Sequence, residues 1–310
     1  MTAVRVPEIK TLWFCSMAIL VLLTAPTSSF AANAGAKPQR IASLNVCTDQ
    51  LILALTPRSR IVSITFLALN PDTSYYHRKT PGLSINYGSA EEILAVKPDL
   101  IVAGSYTTSA TSALLQKLGH RVELFDPDDS LKQMRQNIRR MAALLGEKER
   151  GRWIIKKMDQ RLAAIAQGIK GKNPVAVIFR ANGFTMGRHS LINDILNLAG
   201  FRHLSAEMTM ARAGFLPLET MIAADPTLII FGRYKPEHPS IAHQLLEHPA
   251  LESLLASRLN GKKRASIIIP SNLWNCGGPF IVEAVEKLAR KRKALIKTEI
   301  KSEIRPEIRQ

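Results

Sequence analysis

The spacing of apolar residues changes repeatedly between residues 38 and 290, and the changes predict alternating strands and helices. Short runs of β-branched and apolar residues, typical of buried strands, alternate with segments whose apolar positions recur every three or four residues. Strands that alternate with helices in this way indicate βαβ units and mainly parallel sheets. The predicted fold class is therefore α/β.

In the first half of the chain, the second predicted strand is followed by a long polar loop that ends near Gly88. The first predicted helix begins at Thr48 or Asp49, which are favourable N-terminal residues. The predicted strands cover 41–44, 60–65, 100–103 and 122–125, and the predicted helices cover 48–55, 89–96, 109–118 and 131–145.

A single amphipathic pattern then runs from Lys148 to about Ile169, interrupted by no breaker except Gly151. At 1.5 Å per residue this helix spans roughly 33 Å. It is either one more packed helix or a stiff connector between two lobes.

The second half of the chain repeats the first, which favours the connector. Residues 90–104 align with residues 218–232 at a constant separation of 128 positions, so that Glu219 corresponds to Glu91. We therefore predict two similar αβ lobes joined by one long rigid helix, with a ligand cleft between the lobes. The predicted segments are an N-terminal lobe over 38–146, the interlobe helix over 147–170, a C-terminal lobe over 171–290 and a basic tail over 291–310.

The N-terminus predicts export. Two basic residues, Arg5 and Lys10, precede an apolar run over 12–23 and then small residues, which is the pattern of a cleaved signal peptide over 1–31. A membrane anchor fits less well, because the run is shorter than the roughly 20 residues that a span needs. Cys15 follows aromatic and not small residues, so no lipid anchor is expected. We expect a monomer that is soluble in the periplasm.

The chain is strongly basic, with a formal net charge of +17. Such a charge favours acidic partners, and anionic lipid headgroups are one candidate. Nucleic acid is not expected, because the chain is exported and its basic residues are not interleaved with aromatics as in nucleic-acid-binding modules. The basic run over 290–293 is more typical of a solvated helix end.

Candidate ligand-binding residues follow the predicted strands, because ligands of parallel αβ folds bind beyond the carboxyl ends of the strands. Aromatic, amide and basic side chains at these places suit a large, flat ligand with a polar rim, although aromatics at strand ends also complete packing. The candidates are Asn45, Cys47, Thr48, Tyr75, Tyr76 and Tyr106 in the first lobe, and Arg180, Asn182, Arg233, Tyr234, Trp274, Asn275 and Cys276 in the second.

Catalytic and metal-binding motifs are not evident. We find no nucleophile elbow, no phosphate loop and no paired carboxylates with a nearby base, so no catalytic residue and no cofactor are predicted. His243 and His248 do not have the i, i+4 spacing that places two ligands on one helix face, so no metal site is predicted either. On spacing alone, Glu91 and Glu219 are more typical of first-turn helix glutamates than of a docking pair.

Over about residues 38–290, the sequence resembles the periplasmic binding proteins of cobalamin and ferric-siderophore ABC importers. The resemblance is carried by Arg40 to Leu44, Glu91 through Leu100, the long helix, Glu219 through Pro226, and Trp274 followed by Pro279. It implies lobes that move little and one glutamate on each lobe that docks onto arginines of the permease. Glu91 and Glu219 take those two positions.

The resemblance does not fix the cargo. Residues 45–49 and 274–279 depart from the expected siderophore pocket, and the long loop around Tyr75 to His77 is particular to this chain. A corrinoid such as cobalamin and a ferric siderophore are therefore almost equally favoured, ahead of haem. Cys47 and Cys276 are expected on facing lobes near the cleft, where they bridge the lobes, contact the cargo or remain free thiols.

The expected function is that of a carrier without enzymatic activity. It binds a metal chelate as its transported ligand and delivers it to an ABC permease and its ATPase. The alternative is an exported metallochaperone or enzyme that acts on a tetrapyrrole or metal chelate in the same cleft.

Overall fold

The computed structural model describes residues 37–232, 246–256, 258–259 and 262–304 of the chain. The predicted signal peptide with Cys15, the candidate ligand residues Arg233 and Tyr234, and residues 305–310 of the predicted tail lie outside them. No helix within the described ranges is both long and apolar enough to cross a lipid bilayer.

The N-terminal lobe is a five-stranded parallel sheet covered by helices. Its strands lie in the order β3-β2-β1-β4-β5, so the chain starts at the centre of the sheet and adds strands on either side. The elements are β1 (Ile41–Ser43), α1 (Val46–Leu55), β2 (Ile61–Thr65), β3 (Ile85–Asn86), α2 (Ala90–Ala95), β4 (Leu100–Gly104), α3 (Ser109–Lys117), β5 (Val122–Phe125) and α4 (Leu131–Leu144).

The helix that leaves this lobe is α5 (Lys148–Gln167), close to the predicted connector. Its apolar positions, including Ile154, Met158 and Leu162, are buried in a hydrophobic core that is continuous with both lobes. It packs against α4 on one side and against the last helix of the chain on the other. The connector is thus held by burial along its length, which makes it stiff.

The C-terminal lobe has a four-stranded parallel sheet in the order β13-β10-β6-β8, together with two short antiparallel pairs, β7 with β9 and β11 with β12. The elements are β6 (Val175–Ile178), β7 (Phe184–Thr185), α6 (Leu191–Leu198), β8 (Arg202–His203), α7 (Leu204–Glu207), β9 (Gly214–Phe215), α8 (Leu218–Ala223), β10 (Leu228–Phe231), α9 (Pro249–Ala256), β11 (Arg258–Leu259), β12 (Lys262–Lys263), β13 (Ala265–Ile268) and α10 (Ile281–Ile304).

The strand order supports the repeat that the sequence predicts. The order β2-β1-β4-β5 of the first lobe matches β8-β6-β10-β13 of the second. Lys97 and Asp225, which occupy equivalent positions just before a proline, both have the left-handed backbone conformation, with φ of 45° and 49°. Non-glycine residues rarely adopt this conformation, so the shared turn indicates two structurally equivalent halves.

Two predicted boundaries differ from the structure. The first helix begins after Asn45, whose side-chain oxygen accepts hydrogen bonds from two backbone N–H groups of the first turn, and not at Thr48 or Asp49. Helix α10 crosses position 290 without a break, since no glycine or proline interrupts it. Arg292 within it is buried and donates to the backbone carbonyls of Gly200, Lys170 and Lys172, so this part of the predicted tail belongs to the lobe.

Candidate functional site

A cavity of about 280 Å³ lies between the two lobes, at the carboxyl ends of the parallel strands. Loops after β1, β4 and β5 line it from the first lobe, and loops after β6 and β13 line it from the second, as parallel αβ folds require. Its lining residues with polar side chains are Asn45, Thr48, Ser105, Tyr106, Thr107, Asp126, Asp128, Asn137, Arg180, Trp274 and Asn275.

The first-lobe wall is held in place by the start of α1. Asn45 caps the helix with its side-chain oxygen and donates from Nδ2 to the Thr107 hydroxyl at 2.8 Å, so one residue connects the loops after β1 and β4. The Thr48 hydroxyl is buried and bonds with Ser43 at 2.8 Å. Both predicted residues therefore lie in the cavity wall, but much of their hydrogen-bonding capacity is used within the protein.

A disulfide joins Cys47 of the first lobe to Cys276 of the second, 229 residues apart in sequence. Both cysteines line the cavity, so the bond crosses between the lobes at the wall of the cleft. The sequence alone allowed a bridge between lobes, contact with the cargo or free thiols. The structure shows the bridge. A covalent bond at this point fixes the spacing of the two walls.

The second-lobe wall contains a half-buried cation beside an aromatic ring. The Arg180 guanidinium carbon lies 5.8 Å from the Trp274 ring centroid, and Arg180 donates to the Asn275 side-chain oxygen at 3.1 Å. Burial lowers the pKa of Arg180, because desolvation disfavours its charged form.

Three buried polar atoms of the cavity wall have no hydrogen-bond partner within the described part of the chain. They are the Ser105 hydroxyl oxygen, Arg180 Nε and Trp274 Nε1. A buried polar group without a partner costs about 1–3 kcal/mol, and more if it is charged. A ligand that presents acceptor atoms to this wall would offset that cost.

The sequence prediction misses Asp128, which lies at the junction of the two lobes. Its carboxylate accepts hydrogen bonds from the Asn137 side chain at 2.8 Å and from the backbone of Gly277 in the other lobe. Desolvation raises the pKa of Asp128 to about 6. A Cβ at position 277 would overlap this carboxylate, so only glycine fits there. Asp128 lies in the loop after β5. The rule that ligand-binding residues follow the carboxyl ends of parallel strands would have identified it if it had been applied to this strand as well.

Tyr75 and Tyr76 lie away from the cavity lining. Both rings pack against Phe280 of the second lobe, with centroid distances of 5.1 and 5.9 Å, and the Tyr75 hydroxyl donates to Glu283. The structure therefore places them in a contact between lobes. Burial, followed by the effect of Glu283, raises the pKa of Tyr75 to about 12.

The other predicted residues differ in their exposure. Tyr106 belongs to the cavity lining but is 79% exposed, which places it at the rim. Asn182 is exposed in a left-handed turn after β6 and is not a lining residue. Glu91 and Glu219 are exposed in the first turns of α2 and α8, the equivalent helices of the two lobes.

The described residues contain no group of three or more histidine, cysteine, aspartate or glutamate side chains placed to hold a metal ion. The cavity lining includes carboxylates and hydroxyls, but no histidine or lysine within the described ranges.

Comparison with known proteins adds a family match. The family model described as periplasmic binding protein matches residues 41–261. A curated relative from Bacillus subtilis strain 168, the uncharacterized ABC transporter substrate-binding lipoprotein YvrC, is 21% identical over 267 residues, which are 82% of this chain and 79% of the relative.

Solved structures share the fold. The apo form of the periplasmic heme-binding protein RhuT from Roseiflexus sp. RS-1 matches with a TM-score of 0.66 and 25% identity, over 81% of this chain and 96% of RhuT. The periplasmic vitamin B12 binding protein BtuF of Vibrio cholerae matches with a TM-score of 0.62 and 19% identity, over 84% of this chain and 99% of BtuF.

Proposed function

Because the chain belongs to the periplasmic binding protein family, we propose that it is the substrate-binding component of an ABC importer and that it carries a metal chelate in its interlobe cavity. The observation that carries this proposal is the set of unpartnered polar atoms on Ser105, Arg180 and Trp274 in the cavity wall. Each is a hydrogen-bonding group that a bound ligand can satisfy.

The chemistry of the wall supports a chelate with acceptor groups on its periphery. Corrinoids carry amide side chains, haem carries carboxylates, and ferric siderophores carry carbonyl or hydroxamate oxygens, so all three classes offer acceptors to Arg180 and Trp274. Two of the similar structures are described as binding heme and vitamin B12. The enclosed volume of about 280 Å³ is at the lower end for small-molecule sites, so a chelate of this kind extends past the rim at Tyr106.

We also propose a periplasmic location and delivery to a permease that works with an ATPase. The disulfide supports an oxidising compartment, because such bonds persist there and are rare in the cytosol. Glu91 and Glu219 are the proposed docking groups, since they are exposed at equivalent places on the two lobes. The protein acts as a monomeric carrier, and the chemistry of transport belongs to the ATPase.

Replacement of Arg180 by alanine tests the cavity as the binding site. We expect the affinity for the chelate to fall by roughly tenfold to a hundredfold, because the variant loses charge-assisted hydrogen bonds to the ligand. The control is Arg188→Ala, which removes an exposed arginine of the same lobe and leaves the wall intact. Affinities are measured by titration calorimetry with cyanocobalamin, haem or a ferric siderophore, whichever binds the wild type. Equal affinities for both variants would place the ligand elsewhere.

A further inference from the structure

A second concave site lies outside the cleft, where α5 meets the end of α1 and the loop after β2. It encloses about 190 Å³. The lining residues are Ala54, Tyr76, Lys79, Arg150, Trp153, Ile154, Lys157, Met158, Arg161 and Pro279. Four of these ten side chains are cationic, and no aspartate or glutamate is among them.

Two glutamates lie near this site, outside its lining, and each accepts a hydrogen bond from a neighbouring side chain. Arg161 is paired with Glu286 at 2.7 Å, and Glu283 accepts the hydrogen bond of Tyr75. The other cations, Lys79, Arg150 and Lys157, form no ion pair within the described part of the chain. Three positive charges that form no ion pair within the described part of the chain therefore line one small cavity, and its lining contains no carboxylate.

Two of these cations are fixed in position. Lys79 donates to the Leu53 carbonyl at 3.3 Å and lies 4.5 Å from the centroid of the Tyr76 ring. Arg150 donates to the Ala54 carbonyl at 3.4 Å and lies 4.7 Å from the centroid of the Trp153 ring. Each group uses one donor in these bonds and keeps others for a ligand.

The cations also repel one another. Burial and the neighbouring charge of Arg150 lower the pKa of Lys79. Like charges held together cost free energy, and a bound anion removes that cost while it satisfies the remaining donors.

We propose that this cavity is a binding site for a phosphate group. A phosphate carries up to two negative charges and several acceptor oxygens in a small volume, which suits three converging cations better than a single carboxylate does. The phosphate group belongs either to free inorganic phosphate or to a phospholipid headgroup. The inference is independent of the chelate in the cleft, because the two cavities share no lining residue.

Lys157→Glu tests the site without removing a side-chain hydrogen bond, because the Lys157 side chain forms none within the described part of the chain. The new carboxylate supplies the missing counter-charge, so this variant should lose the response to phosphate. Lys156→Glu is the matched control, since it changes the charge equally at the adjacent exposed position of α5, outside the cavity lining.

The measurement is thermal unfolding of the purified protein in sodium phosphate and in sodium chloride of equal ionic strength. We expect phosphate to raise the Tm of the wild type and of Lys156→Glu, and calorimetry to give a Kd for phosphate at least about tenfold weaker for Lys157→Glu. The assignment to free phosphate would be overturned if phosphate raised the Tm of the two variants equally. It would also be overturned if phosphate raised the Tm of the wild type no more than chloride does.

Vesicles distinguish the source of the phosphate group. If it belongs to a lipid, the wild type and Lys156→Glu cosediment with phosphatidylglycerol vesicles more than with phosphatidylcholine vesicles, and Lys157→Glu loses this difference. If it is a free anion, only the response to inorganic phosphate depends on Lys157. A dependence on Lys157 in neither experiment would overturn the proposal.

Discussion

Reversing the charge of both Glu91 and Glu219 to lysine is expected to reduce import of the cargo to background while leaving the affinity for the cargo unchanged. The two glutamates are exposed, and neither lines the cleft. In the proposed complex each faces arginine side chains of the permease, so a lysine replaces attraction by repulsion on both lobes at once. Loss of one partner of a charge pair that is buried in an interface typically costs about 2–5 kcal/mol of binding free energy. Loss at both lobes should therefore remove most of the affinity for the permease.

The matched control is the pair Glu149→Lys and Glu252→Lys, which changes the net charge equally at two exposed positions outside α2 and α8. Uptake of labelled cargo is measured in cells that express each variant, and cargo affinity is measured on the purified proteins. Loss of uptake in both double variants would attribute the effect to net charge. Loss of cargo affinity in the Glu91 and Glu219 variant would contradict the docking role.

Replacing Cys47 and Cys276 together by serine is expected to lower the Tm by roughly 5–10 °C. The bond closes a loop of more than two hundred residues, for which the chain-entropy model predicts about 5 kcal/mol of stabilisation, while disulfides more typically contribute 2–4 kcal/mol. The double substitution leaves no unpaired thiol in the cleft. The variant should also bind cargo more weakly, because the two walls of the cavity lose their covalent link.

Reduction of the wild type with dithiothreitol is the control, since it should lower the Tm to that of the serine variant and should not change the variant itself. Alkylation followed by mass spectrometry gives a direct check. The part of the chain from residue 37 onward contains two cysteines. Alkylation of both cysteines without prior reduction would show that the disulfide is absent. The predicted loss of stability would then have no basis.

The fold is largely predictable from the sequence because its signals are local. Buried strands and amphipathic helices each show their own periodicity within a few residues, and the repeated segment with Glu91 and Glu219 indicates two equivalent lobes. The family match and the similar structures confirm the two-lobed α/β class. The error at the start of α1 is also local, since Asn45 is as good a cap as Thr48 and the pattern does not choose between them.

The site is less predictable because its contacts join distant parts of the chain. Tyr75 follows a strand, as a ligand residue would, but its partners Phe280 and Glu283 lie more than two hundred residues away and hold it between the lobes. The pairing of Cys47 with Cys276 has the same origin. By contrast, Arg180 and Trp274 line the cavity as predicted from their position after strands, while their roles toward a ligand remain predictions.

The most direct test of the proposed carrier function is thermal unfolding of the purified protein, with and without cyanocobalamin, haem and a panel of ferric siderophores. The double variant Arg180→Ala and Trp274→Ala is measured alongside the wild type. A chelate at a hundred times its Kd should stabilise the wild type by about 2.7 kcal/mol. We predict that one chelate raises the Tm of the wild type and leaves that of the double variant nearly unchanged. A chelate that raises both equally, or a panel that shifts neither, would contradict capture of a chelate in the interlobe cavity.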